Sequence, residues 1–322
     1  MAELSGLMEN LARERVFSEL DGLLPHLRAE DLIRYSTVLC AVIPELRATL
    51  GFDQRTHHHI YDIYTHTAHV VANVPATSVL RWAALLHDIA TPVFSHVVDF
   101  LRGDHEKQES TESGTEALIL GSRELLAVFE KYGIDPQRVT DYHIYPIADN
   151  DSPRLSADRL EYTLGNIVNF GFGTEETVKT YYEDLTATDE ELVFRTPETA
   201  AAFARDALRC GHIYVSDADR FSMQTLADIL QKAVAAGRLT EADFYTREQL
   251  VIEKLVAADW ESYRSLHALC RREDGLVIPA KKRYIDPCTQ GGQRASKQDP
   301  VFAGELADFL AYSFDYGLCA IK

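Results

Sequence analysis

The sequence predicts an all-α protein with a small mixed and partly extended region at its C-terminus. Apolar residues recur at spacings of three and four along most of the 322 residues, which is the repeat of one face of an α-helix. Alternating apolar and polar runs, which would indicate half-buried strands, are few. Residues that start and stop helices stand at the boundaries of the periodic segments.

One long helix is predicted from Pro197 to about Ala236. Thr196 can cap its first turn, and proline is favoured at the first helical position. Gly237 follows the last periodic residue, where a left-handed glycine commonly ends a helix. Gly211 lies inside the segment, so a break there would divide it into two helices.

Two other signals mark shorter helices. The segment Thr246–Gln249 has the spacing of a capping box and predicts a helix that continues through about Ala257. Gly133 stands where a left-handed cap would end the helix before it.

The chain is divided into a helical body and a small tail. Residues 1–272 form the predicted body, whose core is about 55–270, and residues 273–322 form the mixed C-terminal region. Glycine and proline become frequent after residue 272, and a short strand is predicted at Leu276–Pro279. No internal repeat is apparent.

The charge of the chain limits its partners. Thirty-two Lys and Arg residues against fifty Asp and Glu residues give a net charge of −18 at pH 7. Such a surface repels nucleic acid and anionic lipid, so neither is predicted as a partner. No apolar run approaches the length of a membrane span. An anionic small-molecule substrate would need a metal ion or a few well-placed cations.

The cysteines and the N-terminus predict a cytoplasmic protein. No CxxC pair occurs, and the N-terminus has no cationic start followed by an apolar segment. An odd number of scattered thiols is typical of reduced cysteines in the cytosol. The five are Cys40, Cys210, Cys270, Cys288 and Cys319.

A basic segment lies inside the acidic chain at residues 281–297. Its cations are Lys281, Lys282, Arg283, Arg294 and Lys297. Charged loops are common, so a solvated loop is the favoured interpretation. A phosphate-binding arm is the alternative.

Histidine and aspartate residues mark a candidate metal site. Six of the twelve histidines fall between His57 and His87. His66 lies on a predicted helix, and the pair His87-Asp88 ends an apolar helix shortly before Pro92. An unpaired carboxylate beside a core is costly, and a bound cation removes that cost. Two imidazoles and two carboxylates would leave coordination positions open for water and substrate.

The order His…His-Asp…Asp resembles that of the HD-domain metal-dependent phosphohydrolases. The resemblance rests on the segments Tyr64–Thr67, Leu85–Ile89 and Leu155–Tyr162. It implies a helical HD-domain bundle with one divalent ion, for which Mn²⁺, Fe²⁺, Ni²⁺ or Co²⁺ suit the imidazole ligands better than Mg²⁺. The implied ligands are His66, His87, Asp88 and Asp158.

Four further segments are similar to the deoxynucleoside triphosphate triphosphohydrolase branch of this family. They are residues 92–99, 104–106, 213–214 and 239–245. By this resemblance the substrate is a nucleotide or deoxynucleotide, and His96, Asp99 and His105 are the acid–base and phosphate-orienting groups. Arg159 would reach a phosphate, while Tyr162 and Tyr214 would line the sugar or base pocket.

Three positions depart from the pattern of that branch. Thr91 replaces a second histidine, Ile63 replaces an arginine, and Ser216-Asp217 replaces a pair that grips polyphosphate. Phosphate recognition depends on cationic donors. These departures reduce the expectation of a triphosphate substrate but leave the metal ligands in place.

Other functions remain open at this level. A 5′-nucleotidase, a phosphodiesterase or a catalytically reduced nucleotide-sensing HD module fits the same ligand set. A mixed-valent di-iron HD oxygenase would need two more histidines, which His105 and His143 could supply. Within the run His57–His59, at most one side chain can face the site; His59 is the candidate. The apolar face of the helix that begins at Pro197 permits a homo-oligomer.

Overall fold

The computed structural model describes residues 29–51, 61–73, 78–104, 106, 114–266 and 268–321. Within these residues, α-helices dominate and the strands are few and short, so the all-α prediction is confirmed. The helices of the first half are α1 Ala29–Arg34, α2 Ser36–Val42, α3 Ile63–Asn73, α4 Ser78–Leu86, α5 His96–Arg102, α6 Thr115–Gly121, α7 Arg123–Tyr132, α8 Gln137–Thr140 and α9 Ala157–Asn169.

The second half contains the remaining helices and the five strands of the described residues. The helices are α10 Glu175–Glu183, α11 Pro197–Tyr214, α12 Asp217–Ala235, α13 Glu248–Lys254, α14 Ala257–Arg264, α15 Ala295–Gln298 and α16 Pro300–Ala311. The strands are β1 Leu185–Ala187, β2 Leu192–Phe194, β3 Leu269–Arg272, β4 Cys288–Thr289 and β5 Gly317–Ala320. Short 3₁₀ helices cover Pro44–Ala48, Tyr142–Ile144 and Glu241–Tyr245. None of the helices in the described part of the chain is long and apolar enough to cross a membrane.

Where the structure describes the chain, two hydrophobic clusters form the core. The larger one is built mainly from α3, α4, α7, α9 and α11. The second joins α5 to α12 and to the segment of residues 239–255. At the start of α3, Ile63 belongs to the second cluster, whereas Tyr64 belongs to the first. The helix that carries His66 therefore lies between the two clusters.

Two small sheets connect the C-terminal residues to the body. β1 and β2 are antiparallel, and β4 adds to β2 in parallel. β3 pairs with β5 in antiparallel register. The predicted strand at Leu276–Pro279 is reduced to one backbone pair, in which Leu276 and Leu318 exchange hydrogen bonds of 2.9 Å. The division of the chain at residue 272 stays a prediction.

Several helix ends follow the local sequence. Thr196 caps α11 through its side chain, which accepts from the Thr199 amide, and Pro197 occupies the first turn as predicted. Gly133 ends α7 with a φ of 63°, and Gly237 follows α12 with a φ of 67°. These left-handed conformations suit glycine because it has no Cβ.

The long predicted helix is broken, but the break does not fall at Gly211. α11 continues to Tyr214, and the side chain of Ser216 caps the start of α12. Gly211 instead allows close packing, because a Cβ there would lie 2.8 Å from the Arg283 carbonyl oxygen. The helix break therefore results from a new N-cap rather than from the glycine.

The capping box predicted at Thr246 is wrong. The Thr246 hydroxyl donates to the Asp243 carbonyl at 2.7 Å, and α13 begins at Glu248 without a side-chain cap. A capping box does form six residues earlier, between Thr240 and Asp243. The helix also ends at Lys254 rather than near Ala257, because α14 begins as a separate element.

Candidate metal centre

His66 is held in one orientation by a buried carboxylate. It lies on α3, and its side chain is nearly inaccessible to solvent. Its Nδ1 is 2.5 Å from Oε2 of Glu161 on α9. Because a carboxylate accepts, Nδ1 carries the proton of this hydrogen bond and Nε2 is left with its lone pair in the neutral ring. Nε2 is 3.1 Å from Oδ1 of Asp158 and 3.7 Å from Oδ2 of Asp88.

His87 is held in the turn that follows α4. Its Nδ1 donates to the Ala84 carbonyl at 2.8 Å, and the Tyr142 ring stacks against it with the centroids 4.7 Å apart. Its Nε2 is 3.3 Å from Asp88 Oδ2 and 3.6 Å from Asp158 Oδ1. Neither approach has hydrogen-bond geometry, so Nε2 is buried without a hydrogen-bond partner among the described residues. A buried ring nitrogen without a partner requires an explanation.

The two carboxylates enter the same space from different elements. Asp88 directly follows His87, and its Oδ1 accepts from the Thr91 hydroxyl at 3.2 Å. Asp158 lies in the first turn of α9, which Ser156 caps. The Asp158 amide donates to the Ala148 carbonyl at 3.2 Å, which fixes the start of the helix. The sequence therefore places both carboxylates at helix boundaries that local hydrogen bonds hold.

These side chains fit a divalent cation. The donor atoms of His66, His87 and Asp88 lie within 4.8 Å of one another. Neighbouring ligands of a six-coordinate ion are about 3 Å apart when each metal–ligand distance is about 2.1 Å, and the separations of 3.1 to 3.7 Å are close to that value. A cation would also satisfy the unpartnered His87 Nε2. We conclude that this cluster can hold a divalent ion with two imidazoles and carboxylate oxygen.

The electrostatics of the cluster favour positive charge. Burial disfavours the protonated forms of the imidazoles, but the nearby carboxylates outweigh it. They hold the pKa of His66 well above its ordinary value and raise the pKa of His87 to about 9. Burial opposes ionisation of Asp158 as well, yet His66 and His87 hold its pKa well below its ordinary value. A metal ion would take over the role of these protons.

Glu161 is a candidate site residue that the sequence analysis did not assign. Hydrogen bonding between a ligand histidine and a carboxylate fixes the tautomer and the orientation of the ring. Glu161 lies three residues after Asp158, so both carboxylates occupy one side of α9. That spacing was the available signal.

We expect Glu161→Gln to weaken metal binding by about 10- to 100-fold, the usual effect of losing such a carboxylate. The change removes the negative charge that supports His66 but preserves the size of the side chain. A competition titration of Mn²⁺ against a fluorescent chelator would measure it. Glu175→Gln, at an exposed glutamate in the first turn of α10, is the control. Equal affinity in the two variants would contradict the role of Glu161.

His96 and Asp99 form a separate pair on α5. His96 Nδ1 is 3.0 Å from Asp99 Oδ2; the carboxylate is fully buried, and the imidazole is about one third exposed. The two residues before the helix, Phe94 and Ser95, have φ values of 61° and 42°. Such values are strained for residues other than glycine and often occur at functional sites. This turn sets where α5 begins and therefore where it carries the His96–Asp99 pair.

The three predicted substrate contacts surround the start of α9 and the end of α11. Arg159 donates through Nη1 to the Ser152 hydroxyl and to the Arg154 carbonyl, at 3.1 and 3.3 Å. The rings of Tyr162 and Tyr214 meet edge to face, with centroids 6.4 Å apart. The Tyr214 hydroxyl accepts from Asn166 at 2.8 Å. Arg159 and Tyr162 share α9 with the candidate ligand Asp158, whereas Tyr214 lies on α11.

Four of the candidate histidines fall in parts of the chain that the structure does not describe. His105, predicted to be catalytic, and the run His57–His59 lie outside the described residues. His143, considered as a second metal ligand, is more than half exposed and pairs with Asp149 at 3.3 Å and with Asp141 at 3.5 Å.

The positions that depart from the family pattern have structural roles. Ile63 is 1% exposed and packs in the second hydrophobic cluster. Asp217 accepts from Arg220 at 2.8 Å and from Arg271 at 2.7 Å. Neither position presents a cation to a substrate.

The basic segment of residues 281–297 is attached to the body rather than simply solvated. Lys282 donates to the carbonyls of Leu310 and Tyr312 at the end of α16, at 2.5 Å each. Arg294 forms a two-point ion pair with Glu191, with both distances 2.7 Å. The solvated-loop interpretation is therefore wrong for these two cations, because their N–H groups bind acceptors elsewhere in the protein.

No protein-family model matches the chain. The chain is similar to the metal-dependent phosphohydrolase cns2 of Cordyceps militaris, with 28% identity over 226 residues that cover 64% of this chain and 63% of that protein. It is also similar to the uncharacterized protein YdhJ of Bacillus subtilis, with 24% identity over 186 residues, or 57% of each chain. The chain thus spans less than two thirds of the length of these relatives. It is a distant relative of a protein named as a metal-dependent phosphohydrolase, in agreement with the resemblance to the HD-domain superfamily.

Proposed function

We propose that this chain is a metal-dependent phosphohydrolase that cleaves a phosphate ester of a nucleotide or deoxynucleotide. The observation that carries the proposal is the convergence of His66, His87, Asp88 and Asp158 around the unpartnered Nε2 of His87. The name of the Cordyceps relative supports the same reaction class. The ligand set is the one that the HD-domain resemblance implies.

The residues divide into two roles. A divalent ion bound by the cluster supplies Lewis acidity toward a phosphoryl oxygen and lowers the pKa of water. As a water oxygen bonds to phosphorus, the ester P–O bond breaks and the leaving oxygen needs a proton. His96 can deliver that proton from Nε2, because the hydrogen bond between its Nδ1 and Asp99 fixes the orientation of the ring. Its partial exposure allows the proton to be replaced from solvent.

The substrate class follows from what surrounds the cluster. Tyr162 and Tyr214 offer aromatic faces to a base or sugar. Ile63 and Asp217 occupy positions where the triphosphohydrolase branch carries phosphate-binding cations, and both are committed to packing or to ion pairs. A nucleotide with a single phosphate therefore fits better than a triphosphate.

The test is a panel of nucleoside mono- and triphosphates incubated with Mn²⁺, in which phosphate, pyrophosphate and triphosphate release are measured separately. Asp88→Ala removes a candidate metal ligand. Asp189→Asn is the control, because it changes an exposed carboxylate that is far from Asp88 in the sequence. We expect phosphate release from monophosphates by the wild type and by Asp189→Asn, and none by Asp88→Ala.

Other outcomes identify the alternatives. Triphosphate release from deoxynucleoside triphosphates would assign the chain to the triphosphohydrolase branch. Metal bound at one ion per chain without turnover on the panel would contradict hydrolysis and favour a nucleotide-sensing module. Two ions per chain, with one lost in His143→Ala, would favour the di-iron oxygenase instead.

A further inference from the structure

Arg283 belongs to the basic segment, but its position differs from that of its neighbours. The backbone of this part of the chain is fixed at two points. The Arg283 carbonyl approaches α11 so closely that a Cβ at Gly211 would lie 2.8 Å from it. Three residues later, the Asp286 amide donates to the Pro153 carbonyl at 2.9 Å. Arg283 therefore lies between α11 and the loop that leads into α9.

The aromatic pair is carried by α11 and by α9, the helix into which this loop leads. Tyr214 is one turn after Gly211 on α11, and Tyr162 is one turn after Asp158 on α9. Residues four apart share a helix face, so Tyr162 lies beside the metal ligand Asp158. The edge-to-face contact of the two rings then joins α9, which carries Asp158, to the end of α11.

The electrostatics of the aromatic pair agree with this placement of Arg283. Burial raises the pKa of Tyr162, and the positive charges of Arg159 and Arg283 oppose that rise. Burial also holds the pKa of Tyr214 well above its ordinary value, and Arg283 acts against it there too. Both arginines are half-buried. Both positive charges thus act on the tyrosines.

We infer that Arg283 is an anion-binding residue of the site and that, with Arg159, it binds the phosphate of the substrate beside Tyr162 and Tyr214. The inference rests on the proposed function for the identity of the substrate. Arg283 supplies a cation from the C-terminal segment, whereas the positions of Ile63 and Asp217 supply none. Guanidinium groups suit this role because their planar donors match phosphate oxygens.

The first test uses inorganic phosphate as the probe, so that it does not depend on turnover. Arg283→Gln removes the charge and keeps most of the side-chain stem, and the close contact with α11 is made by the backbone. Lys297→Ala is the matched control, because it removes one exposed cation from the same segment. Calorimetric titration at low salt should show phosphate binding weakened about tenfold in Arg283→Gln and unchanged in Lys297→Ala. Arg283→Lys should recover part of the loss.

The second test is kinetic, on whichever nucleotide the panel identifies. We expect Arg283→Gln to raise KM about tenfold with kcat little changed, because the lost contact holds the phosphate before and during the reaction. Unchanged phosphate binding in a folded Arg283→Gln variant would overturn the inference, even if hydrolysis is found. Weakened phosphate binding without hydrolysis by any variant would sink the proposed function and leave the anion site standing. Equal losses in Arg283→Gln and Lys297→Ala would show a general charge effect and would also overturn it.

Discussion

We expect Asp158→Asn to abolish metal binding and to lower hydrolysis on the order of a thousandfold, since Lewis acidity at phosphorus is worth several kcal/mol. Asp158 Oδ1 faces both ring nitrogens, at 3.1 Å from His66 Nε2 and 3.6 Å from His87 Nε2. Asparagine is neutral and a weaker ligand. Its amide group would also donate toward those nitrogens and occupy the lone pairs that a cation needs.

The measurement separates metal binding from catalysis. At a Mn²⁺ concentration of about 100 times its Kd, binding should stabilise the wild type by about 2.7 kcal/mol and raise its Tm by about 5 °C. Asp158→Asn should show no increase, while Asp189→Asn, at an exposed aspartate, should behave as the wild type does. A full Mn²⁺-dependent increase in the Tm of Asp158→Asn would show that the ligand set is wrong.

The candidate site was predictable where local pattern and chemistry agree. An Asp after an apolar helix cannot remain there uncompensated, so the sequence already pointed to a cation near His87-Asp88. The structure brings these residues beside His66 and Asp158, which lie 21 residues before and 71 residues after His87 along the chain. Glu161 was missed because its partner, His66 Nδ1, is 95 residues away. Helical spacing shows which residues share a face but not what that face meets.

The same limit explains the errors in the fold. Ser216 and Thr246 are both plausible caps in sequence, yet only Ser216 accepts from a helix amide, because the Thr246 hydroxyl donates to Asp243 instead. Gly211 suggested a break, but its role appears only when Arg283 packs against it. Local signals therefore located the start of α11 well, whereas tertiary contacts decided the use of the other residues.

Arg220→Met is expected to cost about 3–5 kcal/mol in the free energy of unfolding, the range for breaking a buried ion pair. Arg220 lies on α12 and is 1% exposed. Its Nε donates to the Val215 carbonyl at 3.0 Å, and Nη1 donates to the carbonyl of Ile278. Nη2 donates to Asp217 at 2.8 Å and to the Tyr316 hydroxyl at 2.9 Å. One guanidinium thus holds α12 to two separate parts of the C-terminal region.

Methionine would fill much of the space but would leave the buried carbonyls of Val215 and Ile278 without this donor. It would also remove one of the donors to Asp217, and a buried acceptor that loses its partner is costly. The guanidinium also lies over the Phe314 ring, with Cζ 4.5 Å from the centroid, and that contact would be lost. Arg220→Lys should recover little, because an ammonium has three donors and no planar fork.

Arg271→Met is the matched control, because Arg271 binds the same carboxylate at 2.7 Å but is more than half exposed. Surface ion pairs contribute about 0–1 kcal/mol, so this variant should unfold nearly as the wild type does. Urea denaturation followed by circular dichroism would compare the midpoints. Equal midpoints for the two variants would mean that Arg220 does not anchor the C-terminal region. A large difference would show that burial, rather than the shared partner Asp217, determines what each arginine contributes.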